Sequence, residues 1–167
     1  KRQLLVSTFQ PLVFRLAFRL LCDEDEAKDM VQETFVKVWL ALGKYNGECR
    51  FSTWIYKITC NTCYDRLRSL YHSPLDNEAD YSVSVNISSD DNVELAVVNK
   101  QLRELILRYT DELSPRQRLI FTLRDIEELD VPEVQTITGL SAGIIKTTLY
   151  LARKNIRNKM NQIDAGL

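Results

Sequence analysis

The sequence has a single histidine, His72, and only five glycines among 167 residues. No glycine-rich phosphate loop and no Ser–His–acid set can be assembled from it, so an enzyme is not expected. A continuous run of about 18 apolar residues is also missing. The opening stretch KRQLLVSTFQPLVFRLAFRLL is basic and then apolar, but Arg15 and Arg19 interrupt it and no small-residue cleavage site follows. Neither a signal peptide nor membrane insertion is expected from that pattern. The sequence opens on Lys1 instead of Met, which reads as a trimmed start. Four cysteines without a secretion signal suggest reduced thiols in a cytoplasmic protein. Cys60-Asn-Thr-Cys63 has a spacing found in metal and redox sites. Further ligands would have to come from Cys22, Cys49 or His72 by folding accident. Two small packing residues on a helix are expected instead, with no metal and no cofactor.

Excess charge is missing too: the net is −1, which suits a nucleic-acid binder poorly until it is divided. Residues 1–70 hold 11 Lys/Arg against 8 Asp/Glu, residues 71–92 none against 5, and residues 93–167 hold 11 against 10. The unopposed acid therefore lies in the middle, and local charge decides what each end can bind.

What is present is helical periodicity at both ends. Phe9, Val13, Leu16, Ala17, Leu20 and Leu21 recur at helical spacing, and so do Ala27, Val31, Phe35, Val38 and Leu42. Asp23 with Glu26 predicts an N-cap between these two helices. A loop over 43–50 precedes a third helix from about Phe51 to Leu70. Residues 71–92, rich in Ser, Asp and Asn, read as a flexible acidic linker. Helices resume at Val93, with start signals at Ser114-Pro115-Arg116-Gln117 and Asp130-Val131-Pro132-Glu133, a stop at Gly139 and a cap at Ser141. The expected fold is all-α, with two small helical domains over 1–70 and 93–167.

Three faces carry chemistry. The segment from Val131 to Met160 has the punctuation of a helix-turn-helix. Ile145, Leu149, Ala152 and Ile156 form the buried side of its second helix, leaving Gly143, Lys146, Thr147, Tyr150, Arg153, Lys154 and Arg157 on other faces. Between Glu133 and Asp164 there are five bases and no acid. Such a face fits the DNA major groove, or it is the solvated side of a three-helix bundle. On the third helix Phe51, Ile55, Ile58 and Thr62 form a core stripe. Beside it run Trp54, Lys57, Asn61, Tyr64 and Arg68, a mixture that holds single-stranded nucleic acid unless the aromatics simply pack inward. On the second helix Asp25, Asp29, Gln32 and Glu33 make an acidic strip suited to a basic protein surface or merely to water.

DEDEAKDMVQETFVKVW followed by YNGECRFSTWIYKITCNTCYDRLR resembles region 2 of the extracytoplasmic-function (ECF) sigma factors. LSPRQRLIFTLRDIEELDVPEVQTITGLSAGIIKTTLYLARKNIRNKM resembles their region 4, in the family order. The resemblance implies promoter recognition and transcription initiation with core RNA polymerase, and regulation by an anti-sigma factor. It assigns Asp29, Gln32 and Glu33, with Asp25 on the same strip, to docking on the coiled coil of the largest polymerase subunit. Tyr45, Asn46, Gly47 and Glu48, in the loop to Arg50, match the segment that captures a flipped base of the −10 element. Lys57, Ile58 and Asn61 match that pocket, and Trp54 and Tyr64 flank it. Lys146, Thr147, Tyr150 and Arg153, followed by Lys154 and Arg157, match the −35 recognition helix. The acidic linker matches the segment that threads polymerase near the RNA exit path. The family commonly carries Ala where Gln135 stands, a Leu-like residue where Thr138 stands, and bases where Thr148 and Leu151 stand. Weak DNA binding by the free chain is expected in consequence. A helix-turn-helix repressor with an N-terminal dimerisation domain is the alternative, and would need neither the acidic strip nor the aromatic–amide stripe.

Overall fold

The computed structural model describes residues 1–71, 101, 104, 108–110 and 113–166. The expected linker beyond Tyr71, the restart at Val93 and His72 lie outside the described residues. Six α-helices are described: α1 Arg2–Leu21, α2 Glu24–Ala41, α3 Phe51–Tyr71, α4 Pro115–Phe121, α5 Val131–Thr138 and α6 Ala142–Ala165. No strand occurs among the described residues.

The helix boundaries follow from capping chemistry. The Asp23 carboxylate accepts from the Glu26 amide at 2.9 Å, Ser114 from Gln117 at 3.3 Å and Asp130 from Glu133 at 2.9 Å. Pro115 and Pro132 stand just inside their helices, where a missing N–H costs nothing. Gly139 closes α5 at φ 74°, and Ser141 accepts from the Ile144 amide at 3.2 Å to open α6. α4 does not simply stop. It widens into a π-helical stretch, Thr122–Ile126, whose closing bond runs from the Glu127 amide to the Thr122 carbonyl at 2.8 Å. Glu128 then takes a positive φ of 57°. This irregular turn aims the Glu127 side chain back at α1 and α3.

Burial follows the predicted periods closely. Val13, Leu16, Ala17 and Leu20 of α1, Ala27, Val31, Phe35 and Val38 of α2, and Ile145, Leu149 and Ala152 of α6 are all buried. Leu42 is a correction: the helix tightens to a 3-10 turn over Leu42–Lys44, and the side chain swings into solvent. Ile58 and Ile156 are half-buried, while Thr59, Cys60 and Cys63 complete the inward face of α3. Burial pushes the Cys63 thiol up to about 12 and also raises Cys60 well above its usual range, so both behave as small apolar groups.

Between Arg2 and Leu21, α1 is long and apolar enough to cross a membrane, with a mean hydropathy of 1.4. Its apolar side nonetheless serves the core, packed against α2 and α3.

The two ends of the chain are joined in space. One continuous cluster takes Leu16, Leu20, Met30, Cys60 and Leu67 from the first three helices and Leu119, Ile120, Val134 and Ile145 from the last three. α3 is the shared wall, touching α1 and α2 on one side and α4 and α5 on the other. Polar contacts reinforce this junction. Glu127, whose side chain is 4% exposed, accepts from the Tyr56 hydroxyl at 2.9 Å and pairs with Arg15 at 3.2 Å and with Arg19. Arg118 also donates to the Leu20 carbonyl at 3.3 Å, meeting a C-terminal carbonyl of α1 that has no helical partner.

Candidate nucleic-acid interface

α2 presents its acidic strip to solvent. Asp25, Asp29, Gln32 and Glu33 are all exposed, and Asp25 and Asp29 have no ion pair among the described residues. Glu33 is restrained by Lys37 one turn on, at 3.2 Å. Glu26, the capping-box partner of Asp23, lies off the strip. It turns inward to make a two-pronged contact with Arg66 of α3 at 2.6 and 2.7 Å, and those hydrogen bonds hold its carboxyl below the usual range. Helical spacing thus puts the three acids and the glutamine of the strip outward, while a further acid, Glu26, staples α2 to α3.

The predicted strand-binding stripe of α3 divides in two. Lys57, Asn61 and Arg68 are exposed, as a nucleic-acid contact requires. Trp54 and Tyr64 are half-buried, and Ile58 belongs to the wall behind them. The Trp54 ring lies 5.3 Å from Tyr45 and 5.4 Å from Phe51, in an aromatic cluster that Phe9 extends. Tyr64 carries the Arg68 guanidinium 5.7 Å above its ring. Both aromatics therefore shape the platform and are only partly open to solvent.

The loop before α3 is held from inside. The Tyr45 hydroxyl donates to the Cys49 carbonyl at 2.7 Å, and Asn46 accepts from the Glu48 amide at 3.1 Å. Gly47 takes φ 78°, a conformation that strains other residues. Tyr45 is consequently a brace packed on Phe51 and Trp54, and the loop presents Asn46, Gly47 and Glu48 outward.

On α6 every predicted contact residue is exposed: Lys146, Thr147, Tyr150, Arg153, Lys154 and Arg157. Lys146, Tyr150, Arg153, Lys154 and Arg157 line an open groove of about 520 Å³ together with Arg124 from the π-helical turn. Arg153 is not free within it. Asp125 holds its guanidinium at 2.6 and 2.8 Å, so a nucleic acid would meet an arginine already oriented by a carboxylate. Thr148 is 8% exposed and faces the core, so its lack of charge removes nothing from the groove. Leu151, by contrast, is 42% exposed.

Sequence reasoning missed Glu127, Tyr56, Arg124 and Asp125. One signal was available: Arg15 and Arg19, four apart in an otherwise apolar helix, lie on one face and call for an anion. Among the described residues no group of three His, Cys, Asp or Glu side chains could hold a metal ion.

An acidic helix, a strand platform and a basic helix-turn-helix on one all-helical chain define a DNA-binding transcription factor of the sigma type. The sequence matches sigma-70 region 2 over residues 5–72 and sigma-70 region 4 over residues 103–156. It is 29% identical over 166 residues to the ECF RNA polymerase sigma-E factor of Escherichia coli K12, covering 96% of this chain and 86% of that one. It is 23% identical over 172 residues to the ECF RNA polymerase sigma factor SigW of Bacillus subtilis 168, covering 95% and 88%. The fold resembles CnrH in complex with the cytosolic domain of CnrY (TM-score 0.67, 19% identity, 96% and 88% covered). It equally resembles RpoE in complex with the anti-sigma factor NepR from Bartonella quintana (TM-score 0.67, 21% identity, 95% and 96% covered). The chain belongs to the sigma-70 family, as a transcription-initiation factor of the ECF type.

Proposed function

We propose that this chain binds core RNA polymerase through α2 and directs it to promoters whose −10 and −35 elements are read by α3 and α6. Residues 1–70 form the docking and −10 domain, residues 93–167 the −35 domain, and residues 71–92 connect them. Asp25, Asp29, Gln32 and Glu33 meet the polymerase. Asn46, Gly47, Glu48, Lys57 and Asn61 meet the opened −10 strand, with Tyr45, Trp54, Ile58 and Tyr64 shaping the surface. Lys146, Thr147, Tyr150 and Arg153 read the −35 duplex, and Lys154 and Arg157 hold its phosphates. The factor acts in the cytoplasm, has no catalytic activity of its own, and is restrained by an anti-sigma factor, a reading supported by the solved complex of RpoE with the anti-sigma factor NepR.

One observation carries this reading: an exposed, largely unpaired acidic strip sits one helix away from an exposed Lys–Asn nucleic-acid face. A duplex-binding repressor has no use for that strip, whereas a factor that must bind protein and DNA at once needs both surfaces. Reversing the strip with Asp29→Lys and Glu33→Lys should weaken capture of core polymerase at least ten-fold in a pull-down, with helicity unchanged by circular dichroism. Equal capture of variant and wild type would remove α2 as the docking element.

A further inference from the structure

The exposed surface of α6 is sorted into two flanks. At 3.6 residues per turn Lys146, Arg153 and Arg157 share one flank, beside Arg124 in the groove. Ile144, Thr147 and Leu151 share the opposite flank. Ile144 and Leu151 are each 42% exposed, and neither joins a buried cluster. Single exposed apolar residues are ordinary on protein surfaces. Two of them aligned with a threonine methyl, on a helix whose other flank is cationic, suit a ligand both anionic and apolar in patches.

We propose that Ile144, Thr147 and Leu151 form an apolar reading edge for thymine methyl groups in the −35 duplex, making Leu151 a specificity-determining residue of this chain. The inference rests on the assignment of α6 to the −35 element. The major groove has anionic walls, and the thymine C5-methyl is the apolar group on its floor. Phosphates suit Lys154 and Arg157; a leucine side chain has nothing to offer a guanine edge and gains only by covering a methyl. Ile144 and Leu151 are seven residues apart, about 10 Å along the helix, or about three base-pair steps. The edge therefore selects a short thymine-rich run where a basic residue in place of Leu151 would select guanine. Docking of this flank on another protein is the competing occupant, and the cationic groove on the other side of the same helix favours DNA over it.

The holoenzyme, core polymerase with the full chain, is used to select preferred −35 duplexes from a randomised pool. Each thymine in the winners is then replaced by deoxyuridine, which removes only the methyl group. Wild type should enrich adjacent thymines and lose about four-fold in affinity per critical methyl removed, the equivalent of one buried methylene. Leu151→Ala, at an exposed position, should lose the thymine–uracil discrimination at the one or two base pairs nearest Leu151 and keep it near Ile144, while Leu151→Met should restore most of what is lost. Equal binding of thymine and uracil duplexes by wild type would overturn the proposal while leaving the −35 assignment standing. A Leu151→Ala defect in core capture without DNA would assign the flank to a protein partner and overturn it equally. No selectable −35 duplex at all would overturn both the assignment and the proposal.

Discussion

Glu127 gathers polar contacts from three side chains far from it in sequence, and nothing around it in the sequence marks it out. Its side chain is almost fully enclosed, and Arg15, Arg19 and the Tyr56 hydroxyl converge on it. Burial first, and the Glu127 charge second, push the Tyr56 phenol up to about 12, so it remains a donor at any physiological pH. Arg15 is 47% exposed and Arg19 22%, so water can recover part of their solvation if the partner is lost. Glu127→Ala should therefore cost about 1–3 kcal/mol, the range for a hydrogen-bonded charge, and not the larger penalty of a fully buried pair. In a double-mutant cycle with Tyr56→Phe, thermal unfolding should reveal coupling of at least about 0.5 kcal/mol. Strict additivity would mean that the contact contributes nothing to the junction.

At the scale of elements, α6 combines two tasks that the helical period keeps apart. Its inward side, Ile145, Thr148, Leu149 and Ala152, holds the helix-turn-helix together. Its outward side carries the bases, and position along the helix gives them different work. Lys146 lies near the start, where a recognition helix meets base edges; Arg157 lies three turns on, where phosphates are nearer. In holoenzyme binding to a panel of −35 duplexes, Lys146→Ala should change the order of preference. Arg157→Ala should weaken all of them evenly and reduce the salt slope by about one. A uniform loss from Lys146→Ala would place it among the phosphate contacts instead. The elements were legible because their signals are local. Caps at Asp23, Ser114 and Asp130, the stop at Gly139 and the apolar periods of α1, α2 and α6 each act within a turn or two. Leu42 escaped because a tightening of the last turn, which no period announces, changes where a side chain points.

For the molecule as a whole, the two helical ends were legible but not their junction. Whether Cys60 and Leu67 pack beside Ile120 and Val134 depends on contacts far apart in sequence, and amphipathic periods say only that a face is buried, not against what. The same limit applied to the site. Exposure of Lys57, Asn61 and Lys146 followed from helical spacing, whereas the bracing of Tyr45, the inward lean of Trp54 and the Asp125 hold on Arg153 arise only when elements meet. What emerges is one chain with an acidic α2, an amide-bearing α3 and a basic α6, all open to solvent while the two ends share a core. The measurement that tests its function most directly is permanganate reactivity of promoter thymines in the presence of core polymerase. With wild-type chain added, thymines of the −10 segment should become reactive; with Asn61→Ala that reactivity should fall at least ten-fold while duplex binding through α6 persists. Opening that is the same without the chain, or unchanged by Asn61→Ala, would contradict the account.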